Sequence, residues 1–124
     1  MSKKPTESEL AVLTQLWDNG PQTVRQIHDK IVESKPIGYT TTLKIMQIMF
    51  EKGLLTREKT GKSHLYSPAV TRESTQVSMI DKMLTTVFKG SASQLVMQAL
   101  GNNKASKKEL EEIRAYLDKL EDKA

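Results

Sequence analysis

Apolar side chains recur between Tyr39 and Gly53 with the period of an α-helix. One side of the helical wheel collects Thr42, Ile45, Met46, Met49 and Phe50. The opposite side collects Thr40, Lys44, Gln47 and Glu51, with Thr41 and Ile48 at its edge. Because threonines open the segment, we expect a hydroxyl to cap the helix and leave backbone N–H groups pointing outward. Alone, this pattern favours an ordinary amphipathic core helix, and the flanking segments change that interpretation.

Two shorter helices are predicted upstream, at residues 6–19 and 23–34. Both open with the residue spacing of a capping box, Thr6 with Glu9 and Thr23 with Gln26. Their predicted buried stripes are Leu10, Leu13, Leu16 and Trp17 in the first and Val24, Ile27 and Ile31 in the second. Arg25 lies off the second stripe, where it is free to meet phosphate or water. Pro36 and Gly38 then break the chain, and the helix described above follows at once. Two short helices joined by a tight break, the second of them polar on its outer face, are typical of a helix-turn-helix.

The pattern changes to short extended runs after Gly53. Residues 54–59 and 63–68 predict two strands around a turn at residues 60–62, and Pro68 ends the second strand. The hairpin is basic: Glu58 is its one acidic residue, and its basic residues are Arg57, Lys59, Lys62 and His64. A helix-turn-helix followed by a basic hairpin is a winged helix, whose wing lies along the phosphate backbone of DNA. The alternative is a solvated hairpin whose charges only protect an edge strand from aggregation.

Residues 71–124 contain three further amphipathic helices and no further strand. Three short helices are too few to bury their own apolar faces well, so we expect a second copy of the chain to cover them. The alternative is that this C-terminal part packs back on the first half of its own chain. The fold class is therefore mostly α with a small β-hairpin wing, in two domains, a winged helix at 1–70 and a helical dimerisation region at 71–124. The residues expected at the dimer interface are Ile80, Leu84, Val87, Phe88, Leu95, Val96, Leu100, Leu110, Ile113, Leu117 and Leu120.

The composition of the chain excludes several classes of function. The 124-residue chain has a net charge of +4, which is compatible with a nucleic-acid partner but does not establish one. No apolar run approaches the roughly 20 residues that span a bilayer, and no secretory signal opens the chain, so we expect a cytoplasmic protein without membrane insertion. Its histidines lie far apart, with His28 expected on the surface of a helix and His64 in the wing, and no cysteine, phosphate loop or nucleophile elbow is present. We therefore expect no metal, no cofactor and no enzymatic activity.

The chain resembles the penicillinase-repressor family, the BlaI, MecI and CopY type of bacterial winged-helix repressors, almost from end to end. The shared motifs are Thr6-x-x-Glu9-Leu10 with Leu16-Trp17, Gly20-Pro21, Tyr39-Thr40-Thr41, Glu51-Lys52-Gly53-Leu54-Leu55-Thr56-Arg57, Leu65-Tyr66-Ser67-Pro68, Phe88-Lys89-Gly90-Ser91, and Ser106 with Glu109. The resemblance implies a dimeric repressor that binds a palindromic operator. In the best-known members a membrane sensor protease signals the antibiotic, and the repressor is cleaved in its dimer domain.

Three departures from the family pattern limit this expectation. Many members have arginine where this chain has Ile48, so an operator sequence does not carry over. The regulatory cleavage site of the β-lactam-responsive members is an Asn-Phe pair, whereas the aligned residues here are Gln98 and Ala99. This difference argues against regulation by cleavage at that bond. The copper-responsive relatives use a C-terminal cysteine cluster that this chain lacks, which excludes copper sensing by that route.

From these patterns we expect the helix that starts at Thr40 to enter the major groove of double-stranded DNA. Lys44 and Gln47 would reach base edges, since lysine donates to guanine and glutamine pairs with adenine. The remaining expected DNA contacts are Thr40, Thr41, Ile48, Arg25, Arg57, Lys59, Lys62 and His64. The alternative is a winged helix used for protein–protein interaction, because this fold serves both purposes.

Overall fold

The computed structural model describes residues 5–102 and 105–123, which form six helices and one two-stranded antiparallel sheet. The elements in chain order are α1 (Glu7–Asn19), α2 (Val24–Ile31), α3 (Tyr39–Glu51), β1 (Leu55–Thr60), β2 (Ser63–Pro68), α4 (Arg72–Thr86), α5 (Ala92–Asn102) and α6 (Lys107–Lys123). This order confirms the predicted fold class. The chain divides into two compact units, Met1–Ile80 and Asp81–Ala124. The division falls inside α4, whereas the predicted domain boundary precedes that helix.

The first two helices begin at the predicted caps. The Thr6 hydroxyl accepts from the Glu9 N–H at 3.2 Å, and the Glu9 carboxylate accepts from the Thr6 N–H at 2.9 Å. Thr23 and Gln26 form the same reciprocal pair, at 3.3 and 2.9 Å. Each pair satisfies N–H groups that a helix start would otherwise leave without partners. Both predicted capping boxes are thus confirmed, although α2 ends at Ile31 and not near Ser34.

The start of α3 differs from the prediction. The helix begins at Tyr39 with Gly38 as its N-cap, and no side chain caps it. Because it starts one residue earlier than expected, all three threonines lie inside its first turns, where a hydroxyl no longer reaches the free N–H groups. Thr42 instead turns towards the core and is fully buried. The prediction of a threonine cap was therefore wrong.

The wing follows α3 as a regular hairpin. Leu55 pairs with Pro68 and Thr60 with Ser63, around a turn in which Gly61 has a φ of +62°. The structure adds a bridge that was not predicted: Gln22, between α1 and α2, exchanges backbone hydrogen bonds with Tyr66 of β2 at 3.1 and 2.8 Å. A single bridging residue has no periodic pattern, so the sequence offered no signal for it. The bridge attaches the outer edge of β2 to the helical body.

The core of the first unit is mainly aliphatic and contains two methionines. It is formed by Val12, Leu13, Leu16, Val24, Ile27, Met46, Met49, Leu54, Leu55 and Tyr66. An ion pair lies beside it, in which Lys52 Nζ donates to both carboxylate oxygens of Glu9 at 2.8 and 3.0 Å. This pair joins the start of α1 to the end of α3. The indole N–H of Trp17 donates to the Val70 carbonyl at 3.0 Å, so the chain beyond the wing is held against α1.

The second unit has a different character. None of its described residues is buried, and α5 and α6 bury no side chain completely. Ser106 and Glu109 form the third predicted capping box, with both hydrogen bonds at 3.1 Å. Gly90, at a φ of +88°, separates α4 from α5. Across the described residues, every helix is too short or too polar to cross a lipid bilayer.

Candidate nucleic-acid interface

The outer face of α3 carries the residues predicted to reach DNA bases. Thr40, Lys44 and Gln47 are exposed, and Ile48 leaves 40 % of its surface accessible. Thr42, Met46 and Met49 occupy the opposite face and are fully buried. The helix is therefore fixed by its core side while its polar stripe faces outward, as the periodicity predicted.

A cleft of about 350 Å³ lies between α2, α3 and the wing. Several predicted DNA-binding residues line it together: Arg25, Gln47, Arg57, Lys62 and His64. No carboxylate is among the lining residues of this cleft, so its cations face no opposing charge there. We call it the wing cleft. A groove lined by cations and amides without acids suits a polyanion whose other groups are hydrogen-bonding edges.

The strand register sorts the charges of the wing by face. Arg57 pairs with Tyr66 and Lys59 with His64, so these four side chains share one face of the hairpin. Tyr66 on that face is buried, which shows that the face turns towards the helical body. Glu58 pairs with Leu65 and therefore belongs to the opposite face. The hairpin presents its strand cations on one side and its acidic residue on the other.

Arg57 is exposed, but contacts within the protein hold its guanidinium in place. Its guanidinium lies 4.0 Å from the centre of the Phe50 ring, and one of its nitrogens is 3.5 Å from the Tyr66 hydroxyl. Stacking on an aromatic face leaves the N–H edge of a guanidinium available to an anion. Arg57 therefore joins the wing to the end of α3 at the border of the cleft.

Tyr39 is the residue of this region that sequence analysis missed. The Arg25 guanidinium lies 4.3 Å from the centre of its ring, and the His28 ring meets it edge-on at 5.5 Å. His28 was predicted to be a surface residue, but it is only 8 % exposed, and its Nδ1 is 2.8 Å from the Thr42 hydroxyl. That prediction was wrong because helical periodicity assigns a face but does not show what packs on it. The sequence signal for this contact was an equal spacing: Arg25 and His28 are three residues apart on one helix, and Tyr39 and Thr42 are three residues apart on the next.

Thr41 lies apart from the wing cleft. It lines a second cleft of about 420 Å³ between α1, the end of α2 and α3, together with Lys30, Lys35 and Ile45. Thr40, Lys44, Ile48 and Lys59 line neither cleft. The structure thus groups Arg25, Gln47, Arg57, Lys62 and His64 around one cleft, and separates Thr41 from them.

The described residues also include no cluster of three or more His, Cys, Asp or Glu side chains that could hold a metal ion. What the interface offers chemically is hydrogen-bond donors and positive charge. Lysine and arginine supply the charge, and glutamine adds a side chain that both donates and accepts. These are the groups that bind phosphates and base edges.

The model of the penicillinase repressor family matches residues 5–119. The chain belongs to the penicillinase repressor family. This match confirms the predicted family, and the matched relatives are named as transcriptional regulators or repressors.

The individual relatives in this family have low sequence identity to the chain. The transcriptional regulator BlaI of Mycobacterium tuberculosis is 31% identical over 85 residues, which cover 67% of this chain and 62% of the relative's own length. The penicillinase repressor of Staphylococcus aureus is 21% identical over 99% of this chain and 100% of its own. Among solved structures, a cysteine-to-serine variant of ZitR from Lactococcus lactis is similar to this chain with a TM-score of 0.41 and 20% sequence identity. The aligned region covers 99% of this chain and 80% of the ZitR chain. The winged-helix assignment follows from the order of α1 to β2 and from their shared core.

Proposed function

We propose that this protein is a transcriptional repressor that acts as a homodimer and binds a palindromic operator in double-stranded DNA. In each protomer α3 enters the major groove and the wing follows the neighbouring phosphate backbone. The observation that carries this proposal is the acid-free wing cleft, which places Gln47 of α3 beside the cations Arg25, Arg57 and Lys62. A helix that reads bases needs such flanking backbone contacts to fix its register on the duplex.

Lys44 and Gln47 are the residues we assign to base reading. They are exposed and one turn apart on α3, on the face away from the core. Lysine donates to guanine O6 and N7, and glutamine forms a bidentate pair with adenine. Thr40 and Ile48 flank them and would contact a phosphate or a thymine methyl group.

The dimer is supported by the apolar surface that the C-terminal part of the chain leaves uncovered. Among the predicted interface residues, Ile80, Val87, Val96, Leu117 and Leu120 are between 44% and 66% exposed. The others, Leu84, Phe88, Leu95, Leu100, Leu110 and Ile113, are only half-buried. So much exposed apolar surface is uncommon on a monomeric protein and marks an interaction site. A second copy is the occupant that the proposed palindromic operator requires, since two-fold DNA sites match two-fold proteins.

Release from the operator would follow from opening this dimer region, either by a sensor protease or by another signal. Gln98 and Ala99, the pair aligned with the cleavage site of the β-lactam-responsive relatives, are exposed but lie inside α5. A protease would need α5 to open locally before cutting there. Together with the changed residue pair, this placement favours a release signal other than cleavage at that bond.

Gel-shift titrations on the DNA upstream of the gene test the base-reading assignment. The Lys44→Ala, Gln47→Ala double variant should lose at least tenfold of its preference for this DNA over random DNA, since one good base contact contributes about 1–3 kcal/mol of discrimination. The Lys62→Ala variant is the matched control, because loss of a phosphate contact weakens binding to both DNAs alike. An unchanged preference in the double variant would show that other residues read the bases.

The same titrations separate this function from a protein-binding winged helix. A protein-binding α3 would expose a broad apolar face, but Ile48 is the large aliphatic residue that α3 exposes. Salt-dependent retardation of random DNA supports the DNA-binding function, whereas its absence at low salt would favour the protein-binding alternative.

A further inference from the structure

We propose that Tyr39 is a positioning residue, whose ring holds the Arg25 guanidinium in place as a clamp for one operator phosphate. The inference rests on the proposed DNA-binding function and adds a residue and a role to it. Arg25 is the second residue of α2 and Tyr39 is the first residue of α3. Their contact therefore joins the starts of the two helices that border the wing cleft.

The Tyr39 ring is itself fixed by the protein interior. Its other neighbour is His28, whose ring meets it edge-on at an interplanar angle of 81°. His28 is in turn anchored by its 2.8 Å hydrogen bond to the hydroxyl of Thr42, which is completely buried. Arg25 and His28 of α2 are thus matched with Tyr39 and Thr42 of α3, at the same three-residue spacing. A series of contacts thus connects the exposed Arg25 guanidinium, through Tyr39 and His28, to a buried hydrogen bond.

This arrangement favours binding of an anion by Arg25. A free arginine side chain has many rotamers, and it loses that freedom when it binds, so holding it against a ring removes part of the cost in advance. The ring covers one face of the guanidinium and leaves its N–H edge open to a bidentate phosphate contact. No Asp or Glu of the described chain forms a salt bridge with Arg25.

The cations around Arg25 indicate a backbone contact. Tyr39, Leu43 and Gln47 of α3 line the wing cleft together with Arg25, whereas Lys44 lies outside that cleft. The cations that share the cleft with Arg25 are the wing residues assigned to phosphates. A clamp there would strengthen binding to any duplex and would set the register of α3, without reading sequence itself.

Operator affinity measured over a range of salt concentrations tests the clamp, using full-length Tyr39→Phe, Tyr39→Leu, Arg25→Met and the Arg25→Met, Tyr39→Leu double variant. Loss of Arg25 should weaken binding five- to twentyfold. It should also lower the slope of log affinity against log salt by about 0.9 for each protomer, because one phosphate contact is lost. Tyr39→Leu should weaken binding two- to fivefold, and the double variant should be no weaker than Arg25→Met alone. Tyr39→Phe keeps the ring and should match the wild type.

Arg114→Met, in α6, is the matched control for removal of one arginine and should leave the salt slope unchanged. If Tyr39 had only a structural role, the losses of operator binding free energy in Tyr39→Leu and Arg25→Met would add up in the double variant. The Arg25→Met substitution would then also lower the salt slope by the same amount in the wild type and in the Tyr39→Leu variant. Either result would overturn the clamp. Equal losses for Tyr39→Phe and Tyr39→Leu would overturn it too, since they would assign the effect to the hydroxyl. If the wild type itself shows no operator preference, the proposed function fails; if it does and Tyr39→Leu equals it, only the clamp fails.

Discussion

At the scale of single residues, the hydrogen bond between His28 and Thr42 connects the core to the interface. Thr42→Val keeps the shape of the side chain but removes the hydroxyl, so the buried His28 Nδ1 loses its partner. Leaving a buried polar group unsatisfied costs about 1–3 kcal/mol, and we expect the free energy of unfolding to fall by that amount. Urea denaturation followed by circular dichroism would measure it.

Thr41→Val is the matched control, because Thr41 is the neighbouring threonine of α3 and its side chain is exposed. It should change the unfolding free energy by less than about 0.5 kcal/mol, as surface substitutions usually do. Thr42→Ser, which restores a hydroxyl, should recover part of the loss. Equal stability of Thr42→Val and Thr41→Val would show that the His28 hydrogen bond contributes nothing to folding.

The same residues show how far single-sequence reasoning reaches. The helical period of α3 correctly assigned Thr42 to the buried side and Lys44 and Gln47 to the exposed side. It did not find the partner of Thr42, because His28 lies on a different helix and their contact depends on how the two helices pack. Tyr39 was missed for the same reason, since its role depends on its contacts with Arg25 and His28 on α2.

At the scale of elements, the wing has a testable charge arrangement. Lys62 lies in the hairpin turn and lines the wing cleft, whereas Glu58 belongs to the opposite face of the hairpin. Lys62→Ala should weaken binding to every DNA sequence and reduce the salt slope by about one unit for each protomer. Filter-binding titrations at several salt concentrations would measure both effects.

Glu58→Gln provides the comparison within the same hairpin. It also changes the net charge by one, but on the face turned away from the cleft, so its effect on the salt slope should be small. A slope that changes as much for Glu58→Gln as for Lys62→Ala would mean that the wing acts through its total charge and not through a phosphate contact.

The elements also show which signals in the sequence are dependable. Capping boxes and the Gly61 turn were predicted at the correct residues because they depend on neighbours within three positions. The bridge between Gln22 and Tyr66 was not, because it joins residues far apart in sequence through one backbone pair. The start of α3 was predicted one residue late, because threonine is a favoured N-cap residue whereas the N-cap of this helix is Gly38.

At the scale of the whole molecule, the two units differ in how they are stabilised. The core residues all belong to the first unit, whereas the described residues of the second unit include none that is buried. The first unit also includes the start of α4, where Thr75 is buried and Arg72 pairs with Asp18 of α1. A minimal DNA-binding fragment should therefore end after Ile80, because a fragment ending at Pro68 would lose these contacts and the Trp17 hydrogen bond to Val70.

A fragment of residues 1–80 should fold, remain monomeric and bind one half-site weakly. Its core is complete, so its circular dichroism should show a cooperative thermal transition. Linking two half-site contacts through a dimer raises affinity by about 10²–10⁴ through effective concentration alone, and we expect the fragment to lose that factor on the full operator.

Sedimentation velocity would establish the oligomeric states, and fluorescence anisotropy would measure the affinities. Fusing the fragment to an unrelated dimeric coiled coil should restore most of the loss if linkage is the cause. Should the fragment bind the full operator as tightly as the intact chain, the C-terminal unit would have no part in DNA binding.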